Sequence, residues 1–232
     1  MDQLDQITSI LALTMGAAWA SGINLYAAIL MLGMMGVTGN IDLPPGLEIL
    51  TDPMVLFAAG TMYVVEFVAD KIPGVDSTWD VLHTFVRIPA GAMLAAGAVG
   101  DVTPALALAA GIMGGGLAAT THVTKAGTRA LINTSPEPFS NWAASISEDI
   151  AVFGGLWAAL HHPTLFVVFI ILFILLMIWL LPKLWRGIKT VFRKLRVFFG
   201  GQDKQIAPEA EAHAPSTHPV QEESGSEPPD KP

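Results

Sequence analysis

The sequence contains no cysteine. This absence excludes disulfide bonds, a thiolate nucleophile and cysteine-ligated metal sites. Charge is also scarce, since 14% of the residues are Asp, Glu, Lys or Arg, against roughly 25% in an ordinary soluble domain. With a hydrophobic fraction of 52%, the chain could not cover a soluble globule with polar surface. The composition therefore predicts a polytopic membrane protein.

The apolar runs predict an all-α fold. Residues 164–181 carry no charge and have about the length needed to cross the hydrocarbon core. Glycine, proline and charged residues divide the rest of residues 1–182 into further apolar segments. We predict a bundle of about six transmembrane helices, at residues 7–35, 54–70, 79–99, 104–130, 139–160 and 163–181.

Lysine and arginine are unevenly distributed over the connections between these spans. They occur between spans two and three (Lys71), at the end of span four (Lys125 and Arg129) and after position 182, whereas residues 36–53, 100–103 and 161–162 contain neither type. The positive-inside rule then places both termini in the cytoplasm of a multi-pass protein, and we expect a bacterial inner (cytoplasmic) membrane. The acidic N-terminal segment lacks the basic region of a signal peptide, so the first span is expected to be retained.

Two segments follow the spans. Residues 183–199 alternate Lys and Arg with apolar residues at helical spacing, which predicts a basic amphipathic helix on the inner leaflet, in contact with anionic lipid. Residues 200–232 are rich in Pro, Glu and Ser, which predicts a disordered acidic tail. Much of the net charge of −8 lies in that tail, so the net charge is a poor guide to binding partners.

A weak internal repeat relates the two halves of the membrane domain. Residues 20–24 align with residues 125–129, and residues 49–52 align with residues 146–149. Three spans in each half would give a 3+3 inverted repeat, a construction that many secondary transporters use.

Ionisable residues inside the spans are the main functional signal, because charge at membrane depth is costly and usually faces a bundle interior. His122, Lys125 and Arg129 share one face of span four. They are candidates for binding a phosphate or carboxylate, which Arg129 could hold with both ends of its guanidinium. The alternative is that Lys125 and Arg129 extend to the headgroups and set the topology.

Span three carries a second stripe of ionisable residues. Asp80, His83 and Arg87 are candidates for a proton relay, because histidine titrates near neutrality. The alternative is a structural ion pair between Asp80 and Arg87.

Acidic residues on spans two and five extend this pattern. Glu148 and Asp149 are adjacent and therefore point to different helix faces, so one is expected to pair with a base of span four and the other to bind a proton or cation. Glu66 and Asp70 share a face of span two, where like charges repel. An ion pair with Arg87 is the expected relief.

The predicted depths of these groups suggest a polar vestibule that opens to the cytoplasm. With His83 neutral, the following six residues sum to one surplus positive charge, which an anionic substrate would neutralise: Asp80, His83, Arg87, Lys125, Arg129 and Glu148. Asn24, in span one, is a further candidate for substrate contact if its segment is unwound. The alternative for the small residues around it, and for the glycines of span four, is close helix packing.

Several strings resemble one membrane family. They are Lys-Ala-Gly-Thr-Arg-Ala and Asn-Thr-Ser-Pro-Glu-Pro-Phe-Ser-Asn within residues 121–149, Ala-Ser-Gly-Ile-Asn-Leu-Tyr in span one, and residues 76–91 in span three. The chain resembles, over about residues 7–180, a bacterial membrane family catalogued as domain of unknown function 4126. The resemblance implies no particular activity.

We interpret the chain as a secondary transporter or flippase-like carrier of an anionic solute or lipid headgroup, coupled to protons or cations. The alternatives are a membrane-embedded enzyme that acts on a lipid at the cytoplasmic face, and a non-transporting membrane scaffold. Soluble-enzyme motifs are absent from the sequence, so no cofactor, metal or nucleic-acid partner is expected. The partners expected are membrane lipids, the anionic ligand and a second copy of the chain in a homo-oligomer.

Overall fold

The computed structural model describes residues 3–72, 74–100, 102–134 and 138–198, and the predicted acidic tail lies outside them. These residues form seven helices and no strand, which confirms the all-α prediction. The helices are α1 (Gln3–Val37), a 3₁₀ helix (Pro45–Thr51), α2 (Pro53–Ala69), α3 (Val75–Ala98), α4 (Pro104–Ile132), α5 (Pro138–His161) and α6 (Pro163–Phe198). Five are long and apolar enough to cross a membrane, or six if the 3₁₀ helix and α2, which meet at 68°, form one broken span.

Proline and a capping side chain define the start of two helices. Pro53 and Pro104 occupy the first turn, where the missing N–H costs nothing. The carboxylate of Asp52 accepts from the N–H of Met54 at 2.7 Å, and the hydroxyl of Thr103 accepts from the N–H of Leu106 at 3.4 Å. These caps satisfy N–H groups that the helix leaves free.

Successive helices from α2 to α6 run in alternating directions, so their ends gather at two opposite ends of the bundle. At the first, which we call the charged end, α2 and α4 end and α3 and α5 begin. At the second, which we call the distal end, α2, α4 and α6 begin and α3 and α5 end. Arg87 of α3 pairs with Glu66 of α2 towards the charged end. The 3₁₀ helix lies at the distal end, where a Cβ added to Gly46 would be 2.7 Å from the Cα of Gly97.

The helix α1 is broken near its middle. Asn24 has extended backbone angles, φ −145° and ψ 99°, which divide α1 into a first arm, residues 3–23, and a second arm, residues 25–37. Of the two interpretations left open for Asn24, the structure shows the unwound segment, and substrate contact by Asn24 stays a prediction.

Both arms of α1 reach the same end of the bundle. In the first arm, Gly16 packs against Ala159 and Phe166, at the end of α5 and the start of α6. In the second arm, Gly33 packs against Leu50 and Leu56, beside the start of α2. These four partners all belong to the distal end, whereas Asn24, between the arms, contacts Asp149 at the middle of α5. The chain thus runs inward along the first arm, turns at Asn24 and runs back along the second.

Small residues let α1 lie in the centre of the bundle. A Cβ added to Gly22 would be 2.4 Å from the carbonyl oxygen of Ala118, and one added to Gly114 would be 2.2 Å from the Cβ of Ala95. Such contacts require glycine, so the prediction that these glycines serve helix packing is confirmed. Trp19 fills the space left beside Gly155 and makes edge-on contact with the phenylalanines of α6.

The helix α6 continues past the predicted end of its span. It runs unbroken to Phe198 with Pro182 inside it, and Gly187 still lies against Leu131 of α4. Residues 183–198 therefore extend α6, and their placement on a lipid surface stays a prediction. The inverted repeat also stays a prediction, since residues 20–24 contain the break of α1 and the aligned residues 125–129 lie within α4.

Candidate functional site

Seven charged side chains from four helices meet near the charged end of the bundle. We call them the charged cluster: the acids Glu66, Asp70, Asp80 and Glu148 and the bases Arg87, Lys125 and Arg129. They are joined by eight ion pairs. Arg87, Arg129, Glu66 and Asp80 have no exposed surface. Burial of so much charge is tolerable only because each base meets at least two acids.

Lys125 lies at the centre of the charged cluster. Its Nζ is 2.9 Å from Asp70 and 3.3 Å from each of Glu66 and Glu148. It also donates to the main-chain carbonyl of Ile23 at 3.2 Å. The side chain therefore links α1, α2, α4 and α5, and does not extend to the headgroups as one interpretation of the sequence proposed.

The guanidinium groups of both arginines are bound by carboxylates of the protein, and that of Arg129 also by a main-chain carbonyl. Arg129 makes a fork with Glu148, at 3.2 Å from Nε and 2.8 Å from Nη2, and donates to the carbonyl of Asp70 at 2.9 Å. Arg87 pairs with Glu66 and, at 3.1 Å, with Asp80. The two-pronged contact predicted for Arg129 thus exists, but its partner here is a carboxylate of the protein.

The balance of charge differs from the sequence-based expectation. That expectation counted two acids against three bases, giving one surplus positive charge. The structure adds Glu66 and Asp70 to the same cluster, so four acids now face three bases and the sum is −1. The error arose because the ion pairs of span two were treated as separate from the site.

Four buried atoms of the charged cluster have no hydrogen-bond partner among the described residues. They are Oε2 of Glu66, Oδ1 of Asp70, Oδ2 of Asp80 and Nε of Arg87. Unpartnered carboxylate oxygens at zero exposure are costly, and three of them lie where the cluster already has an excess of acid. Within the described part of the chain, no group of three His, Asp or Glu residues is arranged to hold a metal ion.

The two histidines of the stripes lie at the edge of the charged cluster. Nδ1 of His122 is 3.2 Å from Nη1 of Arg87. Because arginine can only donate, this nitrogen must accept, so His122 is neutral and its Nε2 donates to Thr84 at 2.7 Å. His122 therefore does not add to the cationic stripe predicted on α4.

His83 does not form the predicted relay with Asp80. Its ring nitrogens contact the carbonyl of Trp79 at 2.9 Å and the hydroxyl of Tyr26 at 3.0 Å, whereas Asp80 pairs with Arg87. The structural ion pair was the alternative for this stripe, and the structure shows it.

The break in α1 is matched by charges of the appropriate sign. Lys125 binds the carbonyl of Ile23, at the C-terminal end of the first arm. Asn24 caps the second arm by accepting from the N–H of Ala27 at 3.0 Å, and it donates to Asp149 at 3.1 Å. A cation at a helix C-terminus and an anion at a helix N-terminus are the favourable arrangement for the helix dipole. The break is thus stabilised from both sides.

Asp149 is the acid that stays outside the ion pairs of the cluster. Its second oxygen accepts from the hydroxyl of Tyr63 at 3.2 Å, while the adjacent Glu148 turns to the bases of α4. Glu148 thus makes the pairing with span four that was expected of one of the two neighbours, and a proton or cation at Asp149 stays a prediction. Both tyrosines of the sequence, Tyr26 and Tyr63, reach this site, and sequence analysis missed both because a single tyrosine in a span has no distinctive pattern.

Replacing Asn24 should show how much the break depends on its side chain. We expect Asn24→Ala to lower the free energy of unfolding by about 0.5–2 kcal/mol, because the cap on the second arm is lost. Asn24→Ser keeps a capping oxygen and should lose less. Thermal unfolding in detergent measures both, with Asn40→Ala, at an exposed position of the next connection, as the control. Equal losses for Asn24→Ala and Asn40→Ala would contradict the assignment.

A groove connects the charged cluster with the surface between α4 and α5. Its volume is about 290 Å³, and its walls carry the hydroxyls of Thr121, Thr124, Thr128 and Ser147. Lys125 and Glu148 of the charged cluster also line it. Glu148 is the most accessible cluster member, with 17% of its side chain exposed, compared with at most 4% for the others. Among the described residues, the vestibule predicted from sequence is therefore a buried cluster that this groove approaches.

A second polar cluster ties the ends of α4 and α5 to α3. The buried carboxylate of Asp76 accepts from the N–H groups of Gly74 and Ser77 and, at 2.8 Å, from the side chain of Asn133. Asn133 in turn accepts from Asn141 at 2.6 Å. Asp76 thus has a structural role at the connections of the charged end.

The fold and the buried charges define a helical protein of the multi-pass membrane type. The chain belongs to the family described as Domain of unknown function (DUF4126), whose model matches residues 11–183. The match ends where α6 passes its uncharged run. No curated protein and no solved structure matches the chain.

Proposed function

We propose that the protein is a proton-coupled secondary transporter, or flippase-like carrier, of an anionic solute or lipid headgroup. The observation that supports this proposal is the acid surplus of the charged cluster, together with its three unpartnered carboxylate oxygens. A purely structural ion-pair network would be expected to balance its charges, since an uncompensated buried charge is costly.

The carboxylates of the charged cluster and an anionic ligand compete for the same three bases. Lys125, Arg87 and Arg129 are all held by carboxylates in this structure, so an anion must displace a carboxylate to bind. One proton on the cluster makes it neutral, and a second makes it +1. Protonation thus creates the positive site that the empty cluster lacks, and proton uptake and anion binding become thermodynamically linked.

Glu148 is the acid that an entering anion would displace. It lines the groove, and it forms ion pairs with both Lys125 and Arg129. When Glu148 moves away from Lys125 and Arg129, these two bases become available on the side that faces the groove. The hydroxyls of Thr121, Thr124 and Ser147 now donate to main-chain carbonyls of their own helices, so each must rotate away from that carbonyl before it can donate to an oxygen of a phosphate or carboxylate group.

The affinity for an anion should rise as the pH falls. If each bound anion brings one proton, its association constant increases about tenfold for each pH unit. Calorimetric titration of the protein in nanodiscs of neutral lipid can test this with two probes, inorganic phosphate in solution and phosphatidic acid in the bilayer. Binding of phosphate supports a solute, and binding of phosphatidic acid alone supports a lipid headgroup. Failure of both probes to bind, or binding without pH dependence, would contradict the proposal.

Glu148→Gln separates binding from coupling. The variant lacks the competing carboxylate, so we expect tighter anion binding and a weaker pH dependence. Glu48→Gln, at an exposed position of the 3₁₀ helix, is the matched control and should behave as the natural protein. In proteoliposomes, transport of the bound probe by the natural protein should be accompanied by a change in the pH of the lumen. Uptake that follows a sodium gradient and ignores pH would exclude the proton as the coupling ion.

A further inference from the structure

The course of α1 bears on the topology of the whole chain. A straight α-helix of 35 residues would be about 52 Å long, far more than the roughly 30 Å of the hydrocarbon core. The break at Asn24 divides it, and the second arm, residues 25–37, is only about 20 Å long at 1.5 Å per residue. This arm is too short to cross the core on its own.

The contacts of the two arms show where they end. Gly16 and Gly33 both pack at the distal end, although they lie in different arms. Between them, the carbonyl of Ile23 meets Lys125, and Asn24 meets Asp149. A helix that crossed the bundle would bring Gly33 beyond the charged cluster, and the observed partners of Gly33 exclude that course.

The polar groups at the turn are satisfied inside the protein. Irregular backbone is tolerated at membrane depth only where protein or a polar cavity covers it. Here the freed carbonyl of Ile23 has Lys125 as its donor, and Asn24 is 2% exposed. A turn placed inside the bilayer is therefore compatible with the environment that the bundle provides.

The distribution of basic residues agrees with this course. Residues 1–6 contain two aspartates and no Lys or Arg. The connections at the distal end, residues 36–53, 100–103 and 161–162, also contain no Lys or Arg. Lys71 and the basic residues of α6 lie at the charged end or beyond it. A crossing α1 would begin on the side of the basic connections, whereas a turned α1 begins on the side whose connections lack Lys and Arg, as residues 1–6 do; the positive-inside rule is compatible with that side being non-cytoplasmic.

We propose that α1 is a re-entrant helical hairpin, whose two ends lie on the face of the membrane opposite to the face at which α6 ends. The helices α3 to α6 then cross the membrane, and α2 together with the 3₁₀ helix makes the fifth crossing. The first residues of α1 lie outside the cytoplasm, and the basic end of α6 lies inside it. This arrangement differs from the six spans expected from sequence, because a count of Lys and Arg cannot distinguish a hairpin from a span when the connection after it carries neither residue.

Single cysteines can test the arrangement, since the natural chain has none. Four exposed positions are suitable: Gln6, Val102, Thr78 and Thr190. Intact cells that express each cysteine variant are treated with a membrane-impermeant maleimide, before and after permeabilisation. Val102→Cys marks the distal face, and Thr78→Cys and Thr190→Cys mark the charged face.

We expect Gln6→Cys to be labelled in intact cells together with Val102→Cys, while Thr78→Cys and Thr190→Cys react only after permeabilisation. Labelling of Gln6→Cys with Thr78→Cys would overturn the hairpin, and so would equal labelling of Gln6→Cys from both sides. Asn40→Cys lies on the distal face in either arrangement and serves as the internal control. The result does not depend on transport, so it stands or falls separately from the proposed function.

Discussion

Arg87→Met should be the most damaging single substitution in the chain, lowering the free energy of unfolding by about 3–5 kcal/mol. Arg87 has no exposed surface, and it is the partner of Glu66 and Asp80. Its removal changes the sum of the charged cluster from −1 to −2 and leaves two buried carboxylates short of a base. Thermal unfolding in detergent measures the loss.

A control and a second-site change make this prediction specific. Arg186→Met alters an exposed arginine of α6 whose Nε contacts a carbonyl of its own helix, and it should have little effect. Adding Glu66→Gln to Arg87→Met returns the cluster to −1 and should recover part of the lost stability. A loss below about 1 kcal/mol for Arg87→Met, the value typical of exposed pairs, would show that the pairing contributes little to folding.

Gly22→Ala should be the second large effect. The added Cβ would lie 1.7 Å from the hydroxyl of Thr121 and 2.4 Å from the main-chain carbonyl of Ala118, so α1 and α4 must separate. Overpacking of this kind costs about 1–3 kcal/mol, and more when backbone is the obstacle. Gly116→Ala is the matched control, because no atom lies within 4 Å of its added Cβ, and it should be neutral or stabilising.

A double variant distinguishes the two obstacles near Gly22. Thr121→Ala removes the hydroxyl but leaves the carbonyl of Ala118 in place. We therefore expect Gly22→Ala with Thr121→Ala to recover only a small part of the stability, as judged by thermal unfolding. Full recovery would show that the side chain alone opposes the new methyl group.

The helices could be predicted from the sequence because their signals are local. Pro104 and Pro163 were predicted as helix starts and are helix starts. The predicted second span, residues 54–70, differs from α2 by one residue at each end. Uninterrupted apolar runs bounded by proline, glycine or a capping residue are enough for such assignments, and they need no knowledge of tertiary contacts.

The partners within the site could not be predicted, because they depend on how the helices pack. Helical periodicity placed Lys125 and Arg129 on one face, but it could not show that Asp70, from a different helix, lies between them at 2.9 and 3.5 Å. The same limit explains the wrong charge count. The break at Asn24 was one of two open interpretations, and its direction follows only from contacts such as that of Gly33 with Leu50.

The contacts of the α1 break also constrain the order in which the helices can assemble during synthesis. When α1 leaves the ribosome it contains a free carbonyl at Ile23 and a polar side chain at Asn24, whose partners Lys125 and Asp149 are synthesised more than a hundred residues later. Until α4 and α5 are inserted, these groups have no internal partner, and hydrocarbon offers none. The break of α1 can therefore reach its final contacts only after α4 and α5 have been inserted, so a helix made early must complete its packing late.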